Sequence, residues 1–327
     1  MNMGIIASSR LRAAVGRVNL IGQDLGSADF KYLSLELANN GKLYAAPFDA
    51  LQVLEIDPVA GTTTLIGQDL GGGTKYLSLA LANNGKLYAA PFDTSQVLEI
   101  DPVAGTSTLI GQDLGGRGNK YSSLKLADNG KLYAAPRDAS QVLEIDPVAG
   151  TSTLIGQDLE GGISKYLSLK LANNGKLYAA PFDALQVLEI DPVAGTSTLI
   201  GQDLGGGGNK YQILKLADNG KLYAAPRNAS KVLEIDPVAG TSTLIGQYLG
   251  NVINKYLSLE LANNGKLYAA PIDASQVLEI DPVNQTTTLI GQDLGSVSGK
   301  YQILALANND KLYAAPRDAS QVLEIAP

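Results

Sequence analysis

The chain lacks three residue types on which much enzyme and metal chemistry depends. Its 327 residues include no cysteine, no histidine and no tryptophan. These absences exclude disulfides, thiolate chemistry, zinc sites built from cysteine and histidine, and serine–histidine–aspartate triads. We therefore predict a protein that is not an enzyme and that needs no cofactor and no metal.

Basic charge and long apolar runs are also scarce. The net charge is −7, whereas binding to a nucleic-acid backbone needs a basic face. No apolar run approaches the roughly 20 residues of a membrane helix. Arg10 and Arg12 follow the short apolar stretch at the N-terminus, although the charges of a signal peptide come first. We expect a soluble monomer that binds neither nucleic acid nor membrane, and nothing indicates its compartment.

The chain does contain a repeat. The hexapeptide Lys-Leu-Tyr-Ala-Ala-Pro occurs seven times, with a spacing of 44 residues once and 45 residues five times. A fixed period of this size is typical of repeat folds such as propellers and solenoids. The copies begin at Lys42, Lys86, Lys131, Lys176, Lys221, Lys266 and Lys311.

One repeat reads as four short strands. Residues 32–37 alternate apolar and polar side chains, and residues 43–46, 53–56 and 62–66 are short apolar or β-branched runs. Asn40-Gly41 between the first two runs predicts a type I′ hairpin turn, in which both central residues have positive φ. Pro47 should end the second strand, and the segment from Asp57 to Gly61 should form a turn. No stretch has a helical apolar stripe, so we expect almost no helix.

Four antiparallel strands in about 45 residues correspond to one propeller blade. We predict an all-β, seven-bladed β-propeller with blades starting at about residues 31, 75, 120, 165, 210, 255 and 300. The chain ends after a third strand, and residues 17–23 resemble a spare fourth strand. We expect residues 17–23 to complete blade seven by pairing near residues 321–325, which closes the ring within a single domain over 17–327. Residues 1–16 would be a flexible leader, and a β-solenoid or open array is the alternative.

Two segments of the repeat carry a family resemblance. The Asn-Gly-Lys-Leu-Tyr hairpin and the Val-Leu-Glu-Ile-Asp-Pro-Val-Ala-Gly-Thr turn resemble the broad group of NHL-like and quinoprotein-like blades. The chain lacks the Trp-Asp dipeptide of WD repeats, the Gly-Gly pair of kelch repeats and the tryptophan docking motif of quinoproteins. The resemblance thus implies architecture and no particular activity. The closeness of the copies is typical of recent amplification or of an engineered chain.

The copies differ mainly in the loop before each first strand and in the turn after Pro47, which share one face of a propeller. We call this face the variable rim. Binding residues tend to sit on loops that a rigid scaffold holds, so the residue after each proline is our candidate binding position. Its seven occupants are Phe48, Phe92, Arg137, Phe182, Arg227, Ile272 and Arg317. The alternative is that these side chains fold back over the blade.

A third variable position lies in the middle of the first strand. It carries Glu36, Lys125, Lys170, Lys215 and Glu260, with alanine in the other two blades. A position that accepts glutamate, alanine and lysine is accessible to water, so we place it on the central channel. It is either an anion site or a set of solvated side chains with weak ion pairs.

Two rings of aspartates are nearly invariant. The first comprises Asp24, Asp69, Asp113, Asp158, Asp203 and Asp293, with Tyr248 as the exception. The second comprises Asp49, Asp93, Asp138, Asp183, Asp273 and Asp318, with Asn228 as the exception. Calcium needs six to eight oxygens around one point, whereas these rings spread their carboxylates out. We expect each aspartate to accept backbone N–H bonds in its own turn.

Three functions remain open at this stage. The first is a non-catalytic scaffold or interaction propeller, natural or engineered, with a protein partner at the variable rim. The alternative is a lectin-like propeller that binds a glycan or small ligand at several sites of that rim. A metal-dependent hydrolase is the third, and it lacks the asymmetric cluster that such an enzyme needs.

Overall fold

The computed structural model describes residues 19–116 and 118–327, and within these ranges the chain forms seven consecutive antiparallel sheets and no helix. Six sheets contain four strands in sequence order, and the last contains three. The protein is an all-β, seven-bladed propeller, as the sequence predicts. The expected leader over residues 1–16 lies outside the described part of the chain.

Each sheet is built from the same short strands. The first strands are β1 Glu36–Leu37, β5 Ala80–Leu81, β9 Lys125–Leu126, β13 Lys170–Leu171, β17 Lys215–Leu216, β21 Glu260–Leu261 and β25 Tyr301–Leu306. The second strands are β2 Leu43–Ala45, β6 Leu87–Ala89, β10 Leu132–Ala134, β14 Leu177–Ala179, β18 Leu222–Ala224, β22 Leu267–Ala269 and β26 Leu312–Pro316.

The outer strands are longer. The third strands are β3 Val53–Asp57, β7 Val97–Asp101, β11 Val142–Asp146, β15 Val187–Asp191, β19 Val232–Asp236, β23 Val277–Asp281 and β27 Leu323–Ile325. The fourth strands are β4 Thr62–Ile66, β8 Thr106–Ile110, β12 Thr151–Ile155, β16 Thr196–Ile200, β20 Thr241–Ile245 and β24 Thr286–Ile290.

The first strand is shorter than the alternation predicts. In blade one only Glu36 and Leu37 form a ladder with β2, and Tyr32 makes a single isolated bridge to Pro47. Proline cannot donate a backbone hydrogen bond, so the ladder thins where the second strand reaches it. First strands lie beside one another between blades one and two, two and three, five and six, and six and seven, which places them at the centre of the propeller.

The hairpin between β1 and β2 is not the type I′ turn that Asn40-Gly41 suggests. Gly41 has a φ of 78°, whereas Asn40 is not among the residues with positive φ. Gly41 N–H donates to the Ala38 carbonyl at 3.0 Å, and Ala38 N–H donates to the Lys42 carbonyl at 2.9 Å. This is a three-residue loop that ends in a left-handed glycine, and it leaves the Asn40 amide free to bond elsewhere.

The core consists of apolar layers between blades. Six clusters of buried side chains join blade one to two, two to three, and so on to six and seven. In each, a tyrosine, alanines and a valine of one blade pack on leucines and an isoleucine of the next. Burial of a Leu, Ile or Val side chain contributes roughly 1.5–3 kcal/mol, so these layers dominate the stability of the array.

A polar network reinforces every layer at its edge. Tyr44 OH donates to Glu55 Oε2 at 2.7 Å, Lys42 Nζ donates to Glu55 Oε1 at 2.7 Å, and Asn40 Nδ2 donates to the Pro102 carbonyl of the next blade at 3.3 Å. The tyrosine–glutamate and lysine–glutamate bonds recur in all seven blades. Burial of such groups is tolerated because they are paired. The Tyr44 hydroxyl also lies 3.5 Å from the Pro102 carbonyl oxygen of the next blade.

Among the described residues, no cluster of buried side chains joins blade seven to blade one. Leu35 of blade one is 54% exposed, whereas its counterpart Leu79 in blade two is 9% exposed. The strand predicted over residues 17–23 is not formed between Asn19 and Gln23, and the last sheet keeps β27 as an edge. Gln23 N–H instead donates to Thr63 Oγ1 of blade one at 3.2 Å. Residues 17 and 18 lie outside the described ranges, so ring closure by this segment stays a prediction.

Candidate binding sites at the seams and the inner wall

A buried lysine opens almost every blade. These lysines are at most 7% exposed, and they are Lys75, Lys120, Lys165, Lys210, Lys255 and Lys300. Their ammonium groups donate to carbonyls of the loop that precedes the blade or of the turn beside it. Lys75 Nζ, for example, donates to the Gly71 and Gly73 carbonyls, each at 2.7 Å. Each lysine thus holds together a junction that we call a seam. At a seam, the loop from a fourth strand to the next first strand meets the neighbouring turns between second and third strands.

The pKa values of these lysines depend on the two aspartate rings. Burial lowers the pKa of Lys75, and the carboxylates of Asp49 and Asp69 oppose that shift. Lys255 lacks both partners because Asn228 and Tyr248 stand at the corresponding positions. Burial alone acts there, and it lowers the pKa of Lys255 to about 8. Both rings therefore carry the counter-charge for the seam lysines.

The predicted hydrogen bonds within the aspartate's own turn are found in the first ring and not in the second. In the first ring each carboxylate accepts a bond in its own turn, as from Gly71 N–H to Asp69 Oδ1 at 2.8 Å. In the second ring, Asp93, Asp138, Asp183 and Asp273 accept from a backbone N–H of the next blade's loop, as from Ser164 N–H to Asp138 Oδ1 at 2.6 Å. The prediction of a bond within the residue's own turn is wrong there, because the loop of the following blade folds over the aspartate.

A cavity recurs at the seams of blades one, three and five, and we call it the seam pocket. Its volumes are about 400 Å³, 470 Å³ and 200 Å³ in these blades. In blade three its walls come from the loop before the blade, the turn from β10 to β11, and β12. The residues that line the blade-three pocket include Gln112, Asp113, Leu114, Lys120, Ser140 and Leu154.

The blade-three pocket has an apolar floor and a polar edge. Leu154 is 38% exposed, Asp113 is exposed and Ser140 is partly buried. Asp113 Oδ1 accepts from Gly115 N–H at 2.8 Å, which leaves Oδ2 for other donors. Tyr121 also lines the pocket, yet its ring is 1% exposed. The pocket therefore offers aliphatic and polar groups and no open aromatic face.

The Phe/Arg/Ile position lies between neighbouring blades. Phe92 is 7% exposed, and the Arg137 guanidinium lies over its ring at 5.1 Å from the centroid. Arg227 lies over Phe182 in the same way at 5.2 Å. Phe48 contacts Phe92 with ring centroids 5.9 Å apart. Phe182 and Ile272 are buried and Arg317 is exposed. The apolar members fold back onto the blades, and the arginines retain most of the accessible surface, so a binding role for this position stays a prediction.

The Glu/Ala/Lys position forms a row along the inner wall. Lys125 and Lys170 pair in register with Tyr133 and Tyr178 of the adjacent second strands. Lys215 Nζ contacts Glu260 Oε1 across a blade boundary, so neighbours in the row are within reach of one another. Glu36 is partly buried in blade one. All five residues lie on first strands, and Lys215 and Glu260 are in contact there.

Two functional features escaped the sequence reasoning. The seam lysines look like surface charges in sequence, and only their fixed place before each tyrosine hints at a structural use. The seam pockets arise between three segments far apart in the repeat. Among the residues that the structure describes, no group of three or more Asp or Glu side chains could hold a metal ion. Within the same ranges no helix is long and apolar enough to cross a membrane.

No protein-family model matches the chain, and no curated protein matches it in sequence. Solved structures do share its fold. A catalytically inactive virginiamycin B lyase from Staphylococcus aureus with quinupristin has a TM-score of 0.59 at 13% identity, covering 90% of this chain and 95% of that one. A streptogramin B lyase has a TM-score of 0.57 at 12% identity, covering 88% and 91%. The extracellular domain of a B. thetaiotaomicron protein described as a one-component system has a TM-score of 0.56 at 13% identity, covering 88% of this chain and 39% of that one. At such identities the likeness shows the β-propeller fold alone.

Proposed function

We propose that the chain is a non-catalytic binding propeller whose seam pockets take several copies of one small polar ligand, a saccharide. The observation that carries the proposal is the recurrence of the pocket at three blades with corresponding walls. In blades one, three and five the floor includes a fourth-strand leucine, namely Leu65, Leu154 or Leu244. A repeated cavity is what a multivalent binder needs, because weak sites reinforce one another on a clustered ligand.

The pocket chemistry favours a saccharide over a flat apolar ligand. One face of a sugar ring presents C–H groups, which Leu114 and Leu154 can cover, and its hydroxyls both donate and accept. Asp113 and Gln112 at the edge supply acceptors and donors of that kind. Without tryptophan or an open tyrosine face, each site is expected to be weak, so multivalency has to supply the affinity.

The residue inventory supports a role without catalysis. The histidine-to-alanine variant of virginiamycin B lyase is described as catalytically inactive, and this chain contains no histidine. Its buried Lys, Tyr and Glu side chains take part in the same structural bonds in blade after blade. The other candidate is a non-catalytic scaffold that contacts a protein at the variable rim and needs no saccharide site.

A saccharide array tests the proposal. The full chain should give a reproducible signal on one class of immobilised glycan. Replacing Leu51, Ser140 and Ser230 with Trp should abolish that signal, because these residues line the three pockets and the indole would fill each cavity.

The matched control places three tryptophans on the opposite rim of the same blades. Val59, Val148 and Val238 are more than 90% exposed, and their replacement with Trp should leave the signal unchanged. No saccharide signal from folded chain, or equal loss in both triple variants, would contradict the seam pockets and leave the scaffold form.

A further inference from the structure

The first strands of blades three, four and five carry a row of lysines at one register position. Lys125, Lys170 and Lys215 each pair with the tyrosine of the adjacent second strand. Blades one and six carry glutamate at this position, and blades two and seven carry alanine. The seven blades are otherwise nearly copies, so three consecutive blades give the inner wall a local positive charge in a chain of net charge −7.

The last lysine of the row shows how far a side chain at this position reaches. Lys215 Nζ contacts Glu260 Oε1 of the next blade, so a side chain at this position reaches its neighbour one blade on. Lys125, Lys170 and Lys215 occupy the equivalent register position in three successive blades. Lys125 and Lys170 are thus each followed in the next blade by another lysine, whereas Lys215 is followed by the carboxylate of Glu260.

Two of the three lysines have no carboxylate partner among the described residues. Only Lys215 forms an ion pair there, whereas every hexapeptide lysine, such as Lys131, pairs with a glutamate at 2.7–2.8 Å. Burial lowers the pKa of Lys170, the charges of Lys125 and Lys215 lower it further, and the charge of Glu260 opposes these shifts. Lys170 and Lys215 are partly buried whereas Lys125 is exposed, so two of the three lysines lie where electrostatic attraction is stronger than in open water.

Further donors lie on the same blades. Ser123 stands two residues before Lys125, outside β9, and its buried hydroxyl has no hydrogen-bond partner among the described residues, as is also true of Ser34, Ser78 and Ser258 in blades without a lysine at this position. Arg137 of blade three also has a buried Nε without a hydrogen bond within the described ranges. The Arg227 guanidinium of blade five is held by Asn254 and Gln212.

We propose that Lys125, Lys170 and Lys215 form an inner-wall binding site for a small multivalent anion of the phosphate class. Ammonium groups one blade apart can each donate to a different oxygen, and charge-assisted bonds of this kind are the strong ones. A monovalent ion could neutralise only one lysine. The site is separate from the seam pockets, and its ligand differs in charge from a neutral saccharide.

The chain itself supplies matched variants. Lys170→Ala introduces the residue that blades two and seven have at this position, so the fold should tolerate it. Lys231→Gln removes one positive charge from a seam, where the other six blades carry glutamine. The two variants change the net charge equally.

Isothermal titration of the full chain with sodium pyrophosphate at low ionic strength tests the site. We expect a saturable heat for the wild type, affinity weaker by about tenfold or more in Lys170→Ala, and no change in Lys231→Gln. Pyrophosphate should also raise the melting temperature of the wild type and of Lys231→Gln but not of Lys170→Ala. Equal binding by both variants would show general charge attraction, and no saturable heat in folded wild type would show solvated lysines. Either result would overturn the proposal.

Discussion

The Lys255 ammonium lies 3.4 Å from the carbonyl oxygen of Asn228 and 2.6 Å from that of Val252, with no aspartate at either ring position beside it. At the neighbouring seam, Lys210 has Asp183 and Asp203 as counter-charges. Blade six therefore contains the least compensated of the seam lysines, and this difference can be tested by exchanging single residues between seams.

Asn228→Asp should stabilise the protein by about 1 kcal/mol at pH 7, because it places a carboxylate beside a desolvated ammonium group. The substituted residue occurs at the same position in the other six blades. The gain should shrink above about pH 8, where Lys255 of the wild type loses its proton. Asp183→Asn is the converse control, since it removes one of the two counter-charges of Lys210 and should destabilise. Denaturant unfolding at pH 7 and pH 10 measures both, and a neutral or destabilising Asn228→Asp would contradict the role given to the rings.

Stability should rise with pH between about 8 and 10. The folded pKa of Lys255 is about 8, against 10.5 for an ordinary lysine. Between these values the unfolded chain binds more protons than the folded chain, so deprotonation favours the folded state. Above pH 10 the direction reverses, because burial raises the pKa of tyrosines such as Tyr211 and only the unfolded chain loses those protons. Unfolding free energies across pH 7–11 should pass through a maximum near pH 10, and a monotonic fall from pH 8 would be inconsistent with buried, depressed lysines.

Tyr223→Phe should cost about 1–2 kcal/mol. Its hydroxyl donates to Glu234 Oε2 at 2.8 Å, and that glutamate is 3% exposed, so removal leaves a buried acceptor unpaired. The last blade offers the control. Tyr313 donates to Glu324 at the same distance, but that side chain is 47% exposed and water can replace the hydroxyl. Tyr313→Phe should therefore cost much less, and equal losses in chemical denaturation would show that burial does not set the value of the bond.

The architecture was predictable because each blade repeats local signals that agree with one another. Asp57 accepts from Val59 and Ala60 N–H at 2.9 and 2.8 Å, and Gly61 has positive φ, as a turn of that composition requires. The asparagine–glycine turn was predicted with the wrong type. The dipeptide permits several turns, and the selection depends on bonds from Asn40 to Tyr44 and to the next blade.

The binding features were less accessible to sequence reasoning because they depend on neighbouring blades. Phe92 looks like an exposed rim residue, yet the blade that follows brings Arg137 over its ring. The prediction that the lysine row faces the central channel rests on its alternation with the leucines of the first strand. Which lysines remain unpaired depends on which blade follows which, and this became evident from the contact between Lys215 and Glu260.

Completion of the last blade by residues 17–23 stays a prediction, and the surroundings of β27 bear on it. A cavity of about 500 Å³ lies beside β27, lined by residues such as Ile290 and Leu323. Among the described residues Gly291 meets no side chain there, whereas the equivalent Gly246 lies against Thr287 of the next blade's fourth strand. Deleting residues 1–24 should expose the edge of β27, lower the melting temperature and promote association.

Point variants sharpen this test. Ile21 corresponds to Ile245, which is 7% exposed, and Leu20 to Leu65, which is 36% exposed. If the segment forms a fourth strand, Ile21→Asp should lower stability by about 2 kcal/mol or more through burial of a charge, and Leu20→Asp should have little effect. Equal, small effects together with an unchanged monomeric truncation would refute closure by this segment.

Native mass spectrometry of the full chain, saturated with the saccharide that gives the strongest array signal, tests the central proposal most directly because it counts the occupied sites. Recurring seam pockets predict at least three bound saccharides. They also predict that the count falls by one with each single replacement among Leu51→Trp, Ser140→Trp and Ser230→Trp, while Val148→Trp leaves it unchanged. A single bound saccharide, or a count that none of the three seam variants alters, would contradict multivalent binding at the seams.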